Sequence, residues 1–257
     1  MILKKQIKNK KDVVKMEKRL NDKRVKKILM LDVETIGVGE KAIFDIGYII
    51  CDKKGNKFIR KSYLIKEVFE DKKRMEKAHY FKKYPKYLKG IEEGTFVVET
   101  WENVMREMWG LIKKYNIKQV SAYNLSFDLE AIEFTNKELR NKEFKMFDTL
   151  EKQCIYGLAV ETICQQKTYQ RQFHDKQIFT ASGKFLSGTA ESVWKYCQQK
   201  FDFVEEHMGI FDCEIEVDIM ARCYRQNKKY TKGILSAPYR KLKVKDEYFS
   251  RNADKMF

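Results

Sequence analysis

The sequence predicts an α/β protein with a mixed central sheet. Apolar runs at 28–34, 43–51 and 57–65 are separated by short turns that contain glycine, which is the pattern of an antiparallel meander of three strands. Beyond residue 95, helical patterns alternate with short apolar strands. Locally paired strands followed by alternating helices and strands are typical of a mixed sheet with flanking helices.

The chain begins with a basic segment. Residues 1–27 carry twelve Lys and Arg against three Asp and Glu. Their apolar residues are too sparse to force a helix into a core, so the sequence predicts a loosely helical or disordered basic arm. This segment also lacks the apolar stretch of a signal peptide, and nowhere do about 18 apolar residues run together. We therefore expect a soluble, intracellular protein with no membrane partner.

The next elements follow from turn signals and helical stripes. The sequence DKKGN separates the second and third strands as a tight turn. Residues 66–95 are rich in lysine and aromatics, and we expect one short helix plus a loop there, interrupted by Pro85. Residues 99–115 place apolar side chains on one helical face, and QVSAY at 119–123 is predicted to be a short buried strand.

The second half of the chain is mainly helical in pattern. Ser126 is expected to cap a helix that carries Asp128 in its first turn. Two later helices are predicted, and the longer one begins near His207. The predicted organisation is a basic N-terminal arm at 1–27, a main domain at 28–226 with insertions near 66–95 and 166–189, and a basic C-terminal tail at 227–257.

The composition favours a nucleic-acid partner. Lys and Arg number 53 and Asp and Glu 37, which gives a formal net charge of +16. Such an excess favours a polyanionic partner, and a merely basic, soluble surface is the alternative. The six cysteines form no C-x-x-C pair and have no histidine at ligand spacing. Neither a zinc site nor a disulfide framework is indicated, so we expect reduced, mostly buried thiols.

Four carboxylates lie at the ends of apolar elements. Asp32 and Glu34 end the first strand, and because residues two apart on a strand point to the same side, their charges are presented together. Asp128 follows a buried strand, and Asp212 lies in the last long helix, five residues after His207. Divalent cations would neutralise such a cluster, and hard cations such as Mg²⁺ prefer oxygen ligands. The pattern therefore predicts a metal site.

These segments resemble the motifs of the DEDDh 3′–5′ exonucleases, a family of the DnaQ-like, ribonuclease-H-like superfamily. The three motifs are matched by DVETIG at 32–37, YNLSFDLEAI at 123–132 and HMGIFD at 207–212. They occur in the family's order, and the resemblance spans residues 28–224. The sister group would have tyrosine at position 208, where Met208 stands, so the histidine branch is indicated.

A finer resemblance, over residues 69–110 and 180–212, is to a phage-associated subgroup. It implies a location in the cytoplasm of a bacterial or phage-infected host cell. Two positions depart from the family's usual pattern: Ile36 stands where many members have a second threonine, and Gly209 where alanine is usual. Neither change removes a chemical group of the site, so we interpret both as tuning.

The resemblance implies a ribonuclease-H-like mixed central sheet and a two-metal mechanism. Asp32 would bridge two Mg²⁺ or Mn²⁺ ions, with Glu34 and Asp212 completing the shell of one ion and Asp128 that of the other. His207 would act as the general base that takes a proton from water. Nucleoside monophosphates would leave the 3′ end one at a time.

The resemblance also implies a set of residues around the terminal nucleotide. This substrate-binding set is Thr35, Ile36, Gly37, Asn124 and Phe127. The expected partner is nucleic acid, preferably with single-stranded 3′ ends, while the choice of DNA or RNA and a polymerase or other replication partner stay open. The alternative function is a catalytically inactive relative that binds nucleic acid or a protein through the same fold.

Aromatic residues are mixed with lysines at 66–90, and such mixtures suit single-stranded nucleic acid. We nevertheless expect these rings to pack on the domain; they are Tyr80, Phe81, Tyr84 and Tyr87. His79 and His174 have no partner at useful spacing, so we expect them at the surface or in the insertion.

Overall fold

The computed structural model describes residues 10–244 as a sheet with helices around it. The strands are β1 (Lys27–Thr35), β2 (Ile43–Asp52), β3 (Lys57–Ile65), β4 (Val97–Glu99), β5 (Gln119–Ala122) and β6 (Glu151–Cys154). The helices are α1 (Lys10–Asn21), α2 (Lys66–Phe69), α3 (Lys72–Met75), α4 (Tyr84–Glu92), α5 (Trp101–Lys114), α6 (Leu125–Arg140), α7 (Ile155–Thr162), α8 (Lys167–Asp175), α9 (Ala190–Gln198) and α10 (Gly209–Arg225). Within this part of the chain, every helix is too short or too polar to cross a membrane.

The strands form one mixed sheet in the order β4-β3-β2-β1-β5-β6. β2 runs antiparallel to both β1 and β3, whereas β4 pairs in parallel with β3, β5 with β1, and β6 with β5. The predicted fold class is confirmed, including the antiparallel meander. Successive residues of β2 are all buried, which shows that the centre of the sheet is covered on both faces.

The predicted basic arm is helical where the structure describes it, and its end packs on the sheet. Leu20 is buried, and the Arg19 guanidinium lies 2.7 Å from the buried carboxylate of Asp52 at the end of β2. The expectation that these residues cannot reach the core was wrong at this end of α1. One apolar side chain with an ion pair beside it docks the last turn. Residues 1–9 lie outside the described residues.

Residues 66–95 form α2, α3, a 3₁₀ turn and α4 rather than one helix and a loop. Pro85 does not interrupt a helix, because it lies in the first turn of α4, where a missing N–H leaves no helical hydrogen bond unmade. The start of α6 also differs from the prediction. Asn124 precedes the first residue of this helix, and the Ser126 hydroxyl donates to the Asn124 side chain (3.3 Å) rather than capping the helix.

The regions predicted as an insertion and a tail both contribute to the core. Within 166–189, α8 buries Tyr169 and Phe173, and His174 is buried rather than at the surface. In the predicted tail, Leu242 is buried, and its carbonyl accepts a hydrogen bond from the Leu186 N–H (2.9 Å). Residues 245–257 lie outside the described residues. The six cysteines are free thiols and five are buried, as predicted.

Candidate metal and nucleic-acid site

The end of β1 places two carboxylates over the centre of the sheet. In the β1–β2 register, Asp32 lies opposite Gly47 and Glu34 lies opposite Asp45. Directly opposed residues share one face of a sheet, so the three carboxyl groups lie on the same side. A bulge between Glu34 and Thr35 then ends the regular pairing.

Two glycines allow α10 to lie directly on this face. A Cβ atom on Gly47 would lie 2.3 Å from the carbonyl carbon of Gly209 and 2.3 Å from the nitrogen of Ile210. A Cβ atom on Gly209 would lie 2.7 Å from the Gly47 nitrogen and 2.9 Å from the Asp32 carbonyl oxygen. Glycine at position 209 is therefore a steric requirement of this chain, which is a stronger constraint than the tuning expected from the sequence.

A third carboxylate, Asp45, holds the start of α10 in place. Its Oδ2 accepts the Gly209 N–H (3.0 Å) and the Tyr87 hydroxyl (2.9 Å). Burial raises the pKa of Asp45 to about 7 in spite of these two hydrogen bonds. The sheet, α10 and α4 thus meet at one carboxyl group. Sequence reasoning missed this residue, although a lone carboxylate inside the apolar run IFDIGYII is a usable signal.

The predicted site residues come together in one cleft of about 590 Å³. Its lining includes Asp32, Glu34, Thr35, Gly37, Asn124, Phe127, Asp128, His207 and Asp212. Ile36 is the member of the predicted substrate-binding set that does not line the cleft. Its side chain is buried, its N–H donates to the Ala42 carbonyl (3.1 Å), and its carbonyl accepts the His79 N–H (3.0 Å). His79 itself is exposed, as expected, and contributes to the cleft wall.

The donor atoms in this cleft fit a divalent cation. Glu34, His207 and Asp212 each offer a ligand atom, and these atoms lie within 4.8 Å of one another. Asp32 Oδ2 and Asp212 Oδ1 are buried and accept no hydrogen bond from the residues that the structure describes. A buried carboxylate oxygen without a donor is costly unless it is protonated or bound to a cation.

Burial and mutual repulsion raise the pKa values of these carboxyl groups. Burial raises the pKa of Asp128 to about 8, and burial together with the charge of Glu205 raises that of Asp212 to about 8. The pKa values of Asp32 and Glu34 also lie well above their usual range, first because of burial and then because of neighbouring carboxylates. These raised pKa values favour protonation of the cleft carboxyl groups when no cation is bound.

The metal-free protein is expected to lose stability as the pH rises from 5 to 8. A carboxyl group whose pKa is raised by folding stabilises the protein below its unfolded pKa, near 4, and this contribution is lost as the pH approaches the folded pKa. If the free energy of unfolding falls by about 3 kcal/mol, the melting temperature falls by about 6–12 °C. Melting curves at several pH values should show this fall without metal and a smaller one with Mn²⁺.

A matched pair of variants tests whether the pH dependence of the melting temperature comes from the cleft carboxyl groups or from those at the surface. Asp128→Asn should flatten the pH dependence, whereas Glu93→Gln, which removes an exposed carboxyl group directly after α4, should leave it unchanged. A metal-free protein that melts at the same temperature at pH 5 and pH 8 would contradict the proton uptake.

His207 is held by residues of the segment before α4. Its backbone adopts a left-handed conformation (φ 47°), which is uncommon outside glycine and frequent at functional sites. The Tyr80 ring stacks on the imidazole at 4.9 Å between centroids, and Lys83 Nζ lies 4.2 Å from the centroid of the Tyr80 ring. Burial, and then the charge of Lys83, lower the pKa of His207, which favours the neutral imidazole.

The rings at 66–90 have different environments. Tyr87 is buried, and Tyr84 stacks on Phe69 (5.1 Å between centroids), so these two rings pack on the domain. Phe81 remains exposed. Sequence reasoning did not anticipate that Tyr80 would pack on the motif histidine, because nothing local links residues so far apart along the chain.

Two further carboxylates line the cleft, and sequence reasoning missed both. Glu216 follows Asp212 by four residues on α10, a spacing that puts both side chains on one helical face and that could have identified it. Glu205 lies in the segment before α10, where no periodic pattern exists. Burial raises the pKa of Glu205 to about 7.

No protein-family model and no curated protein sequence matches this chain. Among solved structures, the chain is similar to a full-length 3′-exonuclease, with a TM-score of 0.51 and 9% identity, over 86% of this chain and 91% of that chain. It is also similar to Pop2p of S. pombe in a Mg²⁺- and Mn²⁺-bound form, with a TM-score of 0.43 and 10% identity, over 82% of this chain and 89% of that chain. The likeness to the 3′-exonuclease concerns the fold: this chain has a ribonuclease-H-like mixed α/β fold.

Proposed function

We propose that this protein is a metal-dependent 3′–5′ exonuclease that hydrolyses terminal phosphodiester bonds of DNA or RNA. The observation that carries the proposal is that the residues of the three motifs meet in one cleft. Four carboxylates and one imidazole, from three segments far apart in the chain, line one cleft, and they are the residues of the three DEDDh-like motifs. The histidine branch and the phage-associated subgroup belong to the proposal on the same sequence resemblance.

The motif carboxylates Asp32, Glu34, Asp128 and Asp212 would hold two Mg²⁺ or Mn²⁺ ions. When bound, such ions lower the pKa of a water molecule and neutralise charge on the scissile phosphate. Carboxylate oxygens suit these hard cations. The buried, donor-free oxygens of Asp32 and Asp212 support this assignment, because a cation would satisfy both.

His207 would accept the proton of the attacking water. A general base must be unprotonated at the working pH, and burial and Lys83 lower the pKa of His207 in that direction. The stacked Tyr80 ring restricts the imidazole, and Lys83 Nζ donates to the His207 carbonyl (3.4 Å). These two residues would therefore orient the base.

The terminal nucleotide would lie against the remaining wall of the cleft. Thr35, Gly37 and Asn124 line this wall beside the carboxylates. The half-buried Phe127 ring lies there too, with Lys41 Nζ at 5.8 Å from its centroid. An aromatic ring with a nearby cation suits a nucleobase and its phosphate, so Phe127 would stack on the terminal base.

We expect stepwise shortening of single strands from the 3′ end, supported by Mg²⁺ or Mn²⁺ and abolished by chelation. The measurement uses 5′-labelled and 3′-labelled single-stranded DNA, duplex DNA and RNA. A 5′ label should give a ladder of shortened strands, and a 3′ label should appear in mononucleotides. Strong cleavage in excess EDTA, or products of internal cuts alone, would contradict the proposal.

A further inference from the structure

The cleft contains a fifth carboxylate that the three motifs do not include. Glu216 is 2% exposed, lies one helical turn after Asp212 on α10 and lines the same cleft. Its Oε2 is buried and accepts no hydrogen bond from the described part of the chain. The backbone N–H of Tyr123, directly after β5, donates to the same carboxyl group. One side of Glu216 is thus anchored to the sheet, and an oxygen is left without a donor.

We propose that Glu216 is a metal ligand, and that with it the cleft holds two divalent cations in the absence of nucleic acid. This inference rests on the proposed metal-dependent function. It adds to that function a metal ligand that the family resemblance does not include. It also states that the free protein already holds both ions.

We assign Glu216 to the cation on the side of the cleft that Asp32 and Asp128 form. Apart from burial, the charge of Glu216 is the largest influence on the pKa of Asp32, and the charge of Asp128 is the largest on the pKa of Glu216. All three carboxyl groups line the same cleft, and their negative charges repel one another there. Among the described residues, the ligand atoms of Glu34, His207 and Asp212 are the set that already lies within 4.8 Å of one another. Asp32, Asp128 and Glu216 would therefore have to draw closer around a second cation. Asp32, Asp128 and Glu216 would provide oxygen atoms for one cation, and Glu34 and Asp212 would provide them for the other.

A purely structural role does not account for the residue type. To receive the Tyr123 N–H, a neutral glutamine would serve without the cost of placing another ionisable group among buried carboxylates. A carboxylate becomes favourable when cations neutralise it.

The charge balance of the cleft also favours binding of both cations. The four motif carboxylates match the four positive charges of two divalent cations. Glu216, together with Glu205 in the same cleft, adds negative charge beyond that balance, so the free cleft would attract both ions before a phosphate arrives. Because the affinity of such sites rises with the number of charged ligands, we expect both ions to bind without substrate.

The test is a titration of the full chain with Mn²⁺ in the absence of nucleic acid. Electron paramagnetic resonance measures the Mn²⁺ that stays free. Wild type should bind two ions. Glu216→Gln, which keeps the shape and can accept the Tyr123 N–H, should weaken one of them at least about tenfold. Asp218→Asn is the matched control, because it removes one charge from the same helix at a half-exposed side chain that pairs with Lys57. It should bind both ions as wild type does.

A second measurement keeps the test independent of folding. Without metal at pH 8, Glu216→Gln should melt at or above the wild-type temperature, since it removes a repelled charge. Its stabilisation by Mn²⁺ should be smaller than that of wild type, and Glu216→Asp should restore part of the difference.

The outcomes separate this inference from the proposed function. Equal Mn²⁺ stoichiometry and affinity in Glu216→Gln and wild type, with cleavage intact, overturn the role of Glu216 alone. Loss of one ion in Glu216→Gln, in a wild type that cleaves no nucleic acid, supports the ligand and overturns the exonuclease. A wild type that binds no Mn²⁺ overturns both.

Discussion

Replacement of Asp32 by asparagine is expected to abolish cleavage and to leave folding and nucleic-acid binding intact. Asp32 has a buried oxygen without a donor, and it lies among the other carboxylates of the cleft, so its charge is the one most needed to hold the cations. The single-turnover cleavage rate should fall by more than the ~10²–10⁴-fold that the loss of a general base costs. Without metal, Asp32→Asn should melt no lower than wild type.

The matched comparison is His207→Ala. This variant should keep at least one cation, lose cleavage mainly near neutral pH and recover part of its rate at high pH, where hydroxide needs no base. Fluorescence anisotropy with uncleavable strands would give the binding affinity of each variant. A wild type that binds strands yet cleaves them no faster than Asp32→Asn, with every substrate and metal tried, would identify a binding module instead of an enzyme.

Gly47→Ala is expected to give the largest loss of stability among single-methyl changes, and to reduce cleavage with it. The added methyl group would overlap backbone atoms of Gly209 and Ile210 at about 2.3 Å, and backbone cannot rotate away as a side chain can. Overpacking of a core typically costs about 1–3 kcal/mol, and we expect the upper end or more here. Displacement of α10 would also carry Asp212 away from Glu34, so activity should fall even in the fraction that stays folded.

Gly110→Ala provides the control for the same chemical change. Gly110 is an exposed residue of α5, and a Cβ atom there would meet no atom within 4 Å. Alanine in the middle of a helix should stabilise the protein by about 0.5–1 kcal/mol. Chemical denaturation of both variants gives the two free energies of unfolding. If Gly47→Ala were as stable as wild type, α10 would not lie as close to β2 as the structure shows.

The antiparallel meander could be predicted from sequence because it depends on local patterns. The three strands of the meander are apolar runs bounded by turn signals, and their predicted limits differ from the observed ones by a residue at most. The period of two also puts Asp32 and Glu34 on one side. The same period would place Ile36 with them, but the bulge after Glu34 breaks the alternation, and Ile36 packs inward instead.

Other features depend on contacts between distant segments. Asp45 gains its role from the β1–β2 register and from the approach of α10 to Gly47, so the lone carboxylate in its apolar run marks the residue but does not reveal its partners. The docking of α1 rests on Leu20 and on the pairing of Arg19 with Asp52, which a sparse apolar pattern does not reveal. Pro85 carries a local signal with two meanings, because proline both ends helices and begins them.

Tyr87 of segment 66–95 donates its hydroxyl to Asp45. This hydrogen bond limits how the segment can be exchanged for another. A peripheral addition can be excised at its two ends, and the remaining domain closes over the gap. Excision here would remove Phe69 and Tyr87 from the core and deprive the Asp45 carboxyl group, which also anchors α10, of one of its two donors. The segment is therefore an integral part of the scaffold, and a chimera that replaces it must supply a new hydroxyl donor to Asp45.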